Sequence, residues 1–180
     1  MKKMDIFSIS LCSVFVAICA VCAFISIPAP VPFTLQTLGI FLAAFLLGKR
    51  NGTICVLCYL LLGAVGVPVF SGFRGGLSAL FGPTGGFILS FPLLCFISAF
   101  FFEKFEGKTA KLLGGTIGLC VNYVIGIGWF VWVAPSGNIS SGFISAFAAF
   151  VLPYIIPDLI KLGFAYYLSQ KLKGLIYKKL

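Results

Sequence analysis

Six long apolar runs constrain this chain more than any other feature. They lie at residues 6–27, 34–48, 53–69, 84–102, 111–133 and 143–170, and almost no charge enters them. A helix crossing a bilayer needs about 20 mostly apolar residues. The second run is short and the third barely reaches that length, shortfalls that local bilayer thinning or flanking loops can absorb. Only 9% of the 180 residues are charged and 61% are hydrophobic, whereas soluble domains carry about 25% charged residues. A soluble fold of this size could not cover so much apolar surface. The predicted fold class is therefore an all-α integral membrane protein of six transmembrane helices, with one membrane domain over 1–180.

The net charge of +9 raises nucleic acid as a partner, but the placement of the charge argues against it. Lys2 and Lys3 precede the first run, and Lys49 and Arg50 lie between the second and third. Lys104, Lys108 and Lys111 lie between the fourth and fifth, and Lys171, Lys173, Lys178 and Lys179 follow the last. If the helices alternate, these 11 share one side, and the opposite loops hold only Arg74. That asymmetry is a topology signal that places both termini in the cytoplasm, and no soluble basic face remains to grip phosphates. The 6–27 run follows two lysines, as a signal peptide would, but it exceeds the length of a signal-peptide core and is expected to remain as the first span.

The opposite loops are rich in Gly and Pro: Pro28–Pro32, then Ser71–Gly76 continuing to Gly82–Gly86, then Pro135–Gly142. The middle loop is long and contains Leu77, Leu80 and Phe81, which suggests that it folds back over the helices as a lid; a simple connector is the alternative. Asn138-Ile-Ser140 matches a glycosylation acceptor but carries no weight. No internal repeat is visible. The seven cysteines lie inside apolar runs in a chain without histidine. They read as small packing residues, and no metal site is expected.

Two ionisable residues break the pattern. Asp158 and Lys161 lie within the last run, three residues apart, a spacing that puts both on one helix face. An intramembrane charge is costly and marks a functional site by default; the alternative is a helix-packing ion pair. Pro153 and Pro157 precede them, and proline disturbs a helix interior, so the last helix should be broken or kinked there. Asp158 would then lie near a new helix start, where the dipole favours its charge. Other polar residues in or near spans are Thr34, Gln36, Thr37, Thr84, Asn122 and Tyr123, which could equally bond other helices. Asp158, Lys161 and Arg74 sum to +1, a balance suited to a monoanionic solute, although Arg74 could simply face water.

Enzyme readings fail. Without histidine there is no Ser-His dyad, and most zinc sites are lost. Gly107-Lys108-Thr109 lacks the earlier glycine of a phosphate loop, position 102 being Phe. No nucleotide-hydrolysing machinery is present, so active transport would draw on an ion gradient or a partner. Helix 1 offers a surface for one: Ser13 and Ala17 are four apart and Ala20 follows, a small-residue spacing that permits close helix approach, within the bundle or with another subunit.

The stretches Pro32-Phe-Thr-Leu-Gln-Thr37, Tyr59–Phe70, Gly82-Pro-Thr-Gly-Gly86 and Pro157-Asp-Leu-Ile-Lys161 resemble the BioY family, the biotin-specific S components of energy-coupling factor transporters. The resemblance covers almost the whole chain. It implies a six-helix, non-enzymatic subunit of a prokaryotic cell membrane, without a cofactor, that binds biotin near the outer face beneath loops. It implies as partners a transmembrane coupling subunit and two cytoplasmic ATPases, with the S component toppling in the membrane to deliver its substrate. The family's binding-site Asp, Lys and Tyr correspond to Asp158, Lys161 and Tyr123. Its small-residue motif on helix 1 appears here as Ser13-x-x-x-Ala17, with Ser in place of Ala. Lys161 or Arg74 could meet biotin's carboxylate, Asp158 could accept from the ureido group, and Phe33 and Tyr123 could flank the ring.

Overall fold

A computed structural model describes residues 6–27, 33–133 and 143–177, with side chains omitted at 143–146 and 175–177. Lys2, Lys3, Lys178 and Lys179 lie outside the described residues, as do the loops Pro28–Pro32 and Pro135–Gly142 with the Asn138 motif. In chain order the elements are α1 (Ile6–Phe24), β1 (Ser26–Ile27), β2 (Phe33–Thr34), α2 (Gln36–Ala64), α3 (Leu77–Leu80) and α4 (Gly85–Leu89). There follow α5 (Phe91–Lys104), α6 (Lys108–Val133), α7 (Phe143–Phe150) and α8 (Leu152–Tyr177). The predicted all-α class holds apart from β1 and β2, which pair antiparallel as a two-residue clasp.

Five segments are long and apolar enough to cross a membrane: Ile6–Phe24, Gln36–Ala64, Gly85–Lys104, Lys108–Val133 and Phe147–Gly174. The second is a hairpin. At Gly48 the backbone takes φ 79° and ψ 177°, a left-handed conformation that glycine adopts without a Cβ clash. The chain reverses there, so Gly52 packs against the Ala43 carbonyl and Gln36 meets Tyr59. The arms, 36–47 and 49–64, are about 18 and 24 Å long at 1.5 Å per residue. Sequence therefore located both short runs and the turn between them, but the second arm ends at Ala64, before residue 69.

Glu103, near the end of α5, fastens the turn. Its carboxylate accepts from the Lys49 backbone N–H at 2.7 Å and lies 3.6 Å from the Lys49 ammonium. A buried core joins α1, both arms of α2, α5 and α8 around Phe41, Phe45, Leu94 and Cys95. Its apolar packing, rather than a hydrophobic drive between helices, holds such a bundle together in lipid. Of the seven cysteines, Cys58 and Cys120 are exposed and the other five are buried.

The last run does not form one helix. The break comes at Val151, between α7 and α8, with Pro153 in the first turn, where its missing N–H costs nothing. Pro157 lies inside α8. Asp158 is thus the seventh residue of α8, beyond the first turn in which a helix dipole acts, and the expected dipole support for its charge is absent.

The 65–84 segment is built from short turns rather than open loop. Phe70 and Arg74 form a bridge, the Gly76 N–H donates to the Gly63 carbonyl at 2.7 Å, and Trp129 donates to the Gly82 carbonyl at 3.0 Å. Phe73 holds φ 55°, uncommon for an aromatic residue, while its ring stacks on Phe24 at 4.4 Å. Leu80 is buried as expected of a segment folded back onto the helices, but Leu77 and Phe81 are exposed.

Candidate functional site

A cavity of about 190 Å³ lies beneath the 65–84 segment. Its floor is buried and comes from the start of α2 (Gln36), the start of α5 (Phe91), mid-α6 (Asn122) and α8 (Asp158, Lys161). Its rim is exposed at Arg74, Ser78 and Pro83. Of the eight expected binding residues, seven line it: Asp158, Lys161, Tyr123, Arg74, Gln36, Thr84 and Asn122. Phe33 does not. It stands behind the site with its ring centroid 4.3 Å from the Lys161 ammonium, a cation–π support for the lysine rather than a wall. The aromatic walls are Phe70, Phe87, Phe91, Phe150 and Tyr154.

Asp158 and Lys161 meet as their spacing requires, with Nζ 2.7 Å from Oδ1 and both side chains more than 90% buried. Other helices complete the pair. Thr37 donates to Asp158 Oδ1 at 3.0 Å, and Tyr123 donates to Oδ2 at 2.5 Å. Lys161 also donates to the Thr34 carbonyl at 2.6 Å. A carboxylate offers about four acceptor positions and an ammonium three donors. Three and two of these are used by described residues, so one acceptor and one donor remain for a ligand.

The neighbouring polar groups differ in how far they are engaged. Gln36 donates to the Tyr59 hydroxyl at 2.6 Å, which donates on to the Val69 carbonyl at 2.8 Å and ties the roof to α2. The Asn122 amide donates to the Phe87 carbonyl and to Ser90, leaving its carbonyl oxygen without a donor among the described residues. Arg74 has no ion-pair partner among the described residues.

The BioY family profile matches residues 1–178. The chain belongs to the BioY family. Within it, "Biotin transporter BioY" of Thermotoga maritima is 42% identical over 166 residues, 90% of this chain and 93% of that protein. "Probable biotin transporter BioY" of Pyrococcus horikoshii is 41% identical over 167 residues, 92% and 96% of the two chains. The crystal structure of an S-component for biotin from an ECF-type ABC transporter superposes with a TM-score of 0.85 at 25% identity, covering 96% of this chain and 95% of that one. The BioY frame thus carries the fold of an S component, a non-enzymatic membrane subunit.

Sequence reasoning missed Tyr154, Phe150 and the roof residues Ser71 and Ser78 as cavity walls. Tyr154 lies four residues before Asp158, one turn away on the same helix face, a signal that was available. On α1, Ser13 and Ala17 are exposed, as a partner surface requires, but Ala20 is 9% exposed and packs into the bundle. Residue 20 is rotated off the stripe that Ile6, Ser10, Ser13, Ala17 and Val21 present outward.

Proposed function

We propose that this BioY chain captures biotin at the outer face of a prokaryotic cell membrane, as the S component of an energy-coupling factor transporter. One observation carries the site assignment: a buried Asp158–Lys161 pair facing a lidded cavity with one donor and one acceptor to spare, below a rim arginine without a counter-ion among the described residues. Biotin offers matching groups. Its ureido carbonyl takes the free Lys161 donor, and a ureido N–H reaches Asp158. The apolar bicycle fits among the aromatic walls, and the carboxylate meets Arg74. Lys161 is already held by Asp158, so Arg74 is the better partner for the tail.

In the same reading the chain is one membrane domain with six crossings, counting the α2 hairpin as two, and with both termini cytoplasmic. Lys49, Lys104, Lys111 and Lys173 gather around Phe100 and Phe102 at the far end of α5 from the cavity, while Arg74 and Lys161 line the cavity itself; that asymmetry supports the orientation. Ser13 and Ala17 dock a transmembrane coupling subunit, and two ATPases supply the energy. Equilibrium binding of biotin to the purified chain tests the capture role. Tight binding at one site is expected; preference for another vitamin would overturn it. Liposomes test the partnership. Uptake should require the coupling subunit and ATPases, and uptake by the chain alone would refute it.

A further inference from the structure

We infer a second site, for an anionic phospholipid headgroup, at the end of the bundle opposite the cavity. It is built on Phe102 of α5. The ammonium of Lys111, from the first turn of α6, lies 4.8 Å from that ring's centroid, and that of Lys173, from the last part of α8, lies 5.4 Å from the same centroid. The two ammonium groups are therefore no more than about 10 Å apart by those distances. Phe45 stacks on the Phe102 ring at 4.6 Å, which covers one of its faces.

Two helices thus bring like charges to one buried ring on a third, and no carboxylate pairs with either among the described residues. Glu103 is committed to Lys49 and the α2 turn. Glu106, in the α5–α6 link, forms no ion pair among the described residues. Two unpaired cations at this separation repel, and an anion relieves that repulsion. The start of α6, the positive end of its helix dipole, adds a field that favours negative charge.

The setting selects a lipid phosphate. Lys173 lies 15 residues beyond Asp158 on α8, about 22 Å along the helix, which puts the ammonium groups near the opposite membrane interface. There the lysine stems lie along apolar surface with their charges at headgroup level, and basic clefts between helices hold anionic headgroups. The rings against Phe102 are Phe45 and Tyr166, so the surface beside the two ammonium groups is apolar and suits the acyl chains of a lipid.

Native mass spectrometry of the full chain, released from micelles containing phosphatidylglycerol and phosphatidylcholine in equal amounts, tests this. The wild type should retain one phosphatidylglycerol preferentially. The Lys111→Gln/Lys173→Gln variant should lose that preference by roughly 25-fold, at about fivefold per lysine. A charge-matched variant, Lys108→Gln/Lys171→Gln, should keep it, because Lys171 lies over Tyr167 instead. Equal loss in both variants would show a diffuse basic field and overturn the site. Retention of phosphatidylcholine as strong as phosphatidylglycerol would also overturn it, as would displacement of the lipid by millimolar inorganic phosphate, which would make the ligand a free anion. An unchanged melting temperature for both variants shows that they fold.

Discussion

Replacing Asp158 and Lys161 separately and together separates a packing ion pair from a ligand anchor. Each side chain is more than 90% buried, 2.7 Å from its partner. Removing one partner of a buried pair costs about 3–5 kcal/mol, because the other charge is stranded. Both residues have further support, from Thr37 and Tyr123 on one and from Thr34 and Phe33 on the other. Lys161→Met and Asp158→Asn should therefore fall near the lower end, about 3 kcal/mol each. The double variant strands no charge, so its loss should be smaller than the sum by at least about 2 kcal/mol. Unfolding in mixed micelles, followed by tryptophan fluorescence, measures all four corners of the cycle.

Biotin affinity should behave differently. A hydrogen bond to a charged group contributes about 1.5–3 kcal/mol, so Asp158→Asn should weaken binding roughly 10- to 150-fold. The double variant should bind no better than either single one, even as its stability recovers. Additive stability losses, within about 0.5 kcal/mol, would refute the coupling of the pair. Wild-type affinity in the double variant would refute its role in binding. Glu106→Gln, at the other end of the bundle, serves as the neutral control.

Three further outcomes are expected. Arg74→Gln should weaken biotin about tenfold, as loss of a charged partner for the tail implies; titration with an amide of biotin should show no such difference between variant and wild type. Gly48→Ala should destabilise the fold by about 1–3 kcal/mol, since it forces a left-handed backbone and meets the Glu103 carboxylate; a thermal melt reads this directly. Ala17→Leu should abolish ATP-driven uptake in reconstituted vesicles while equilibrium biotin binding stays within about twofold, because a bulky side chain on the exposed stripe blocks close helix approach.

Most of the architecture was legible because a bilayer leaves a segment few choices. Apolar length gave the spans, and Lys49-Arg50 marked the turn between the second and third runs. Asp158 and Lys161 stood out because charge inside an apolar run is expensive. What sequence did not give depends on contacts between distant segments. Phe33 could not be placed behind Lys161 rather than beside a ligand, since that depends on how the β clasp meets α8. A break in the last helix was expected at Pro153 and Pro157, but it lies at Val151, because Pro153 belongs to a helix start and Pro157 is accommodated inside α8. Ala20 was grouped with Ser13 and Ala17 by spacing alone, and only the packing of α1 against α2 shows that it turns inward.

The Asp158–Lys161 pair also bears on how the protein is made. Both partners lie on one helix at i and i+3, so they can meet as soon as that turn forms. A pair divided between two helices would send each charge into lipid alone, at about 2.5–3.5 kcal/mol apiece on translocon-derived scales. Here the last helix can enter the bilayer already neutralised, before Thr37 and Tyr123 are in reach. The segment that carries the binding chemistry can thus be inserted without waiting for the bundle that will enclose it.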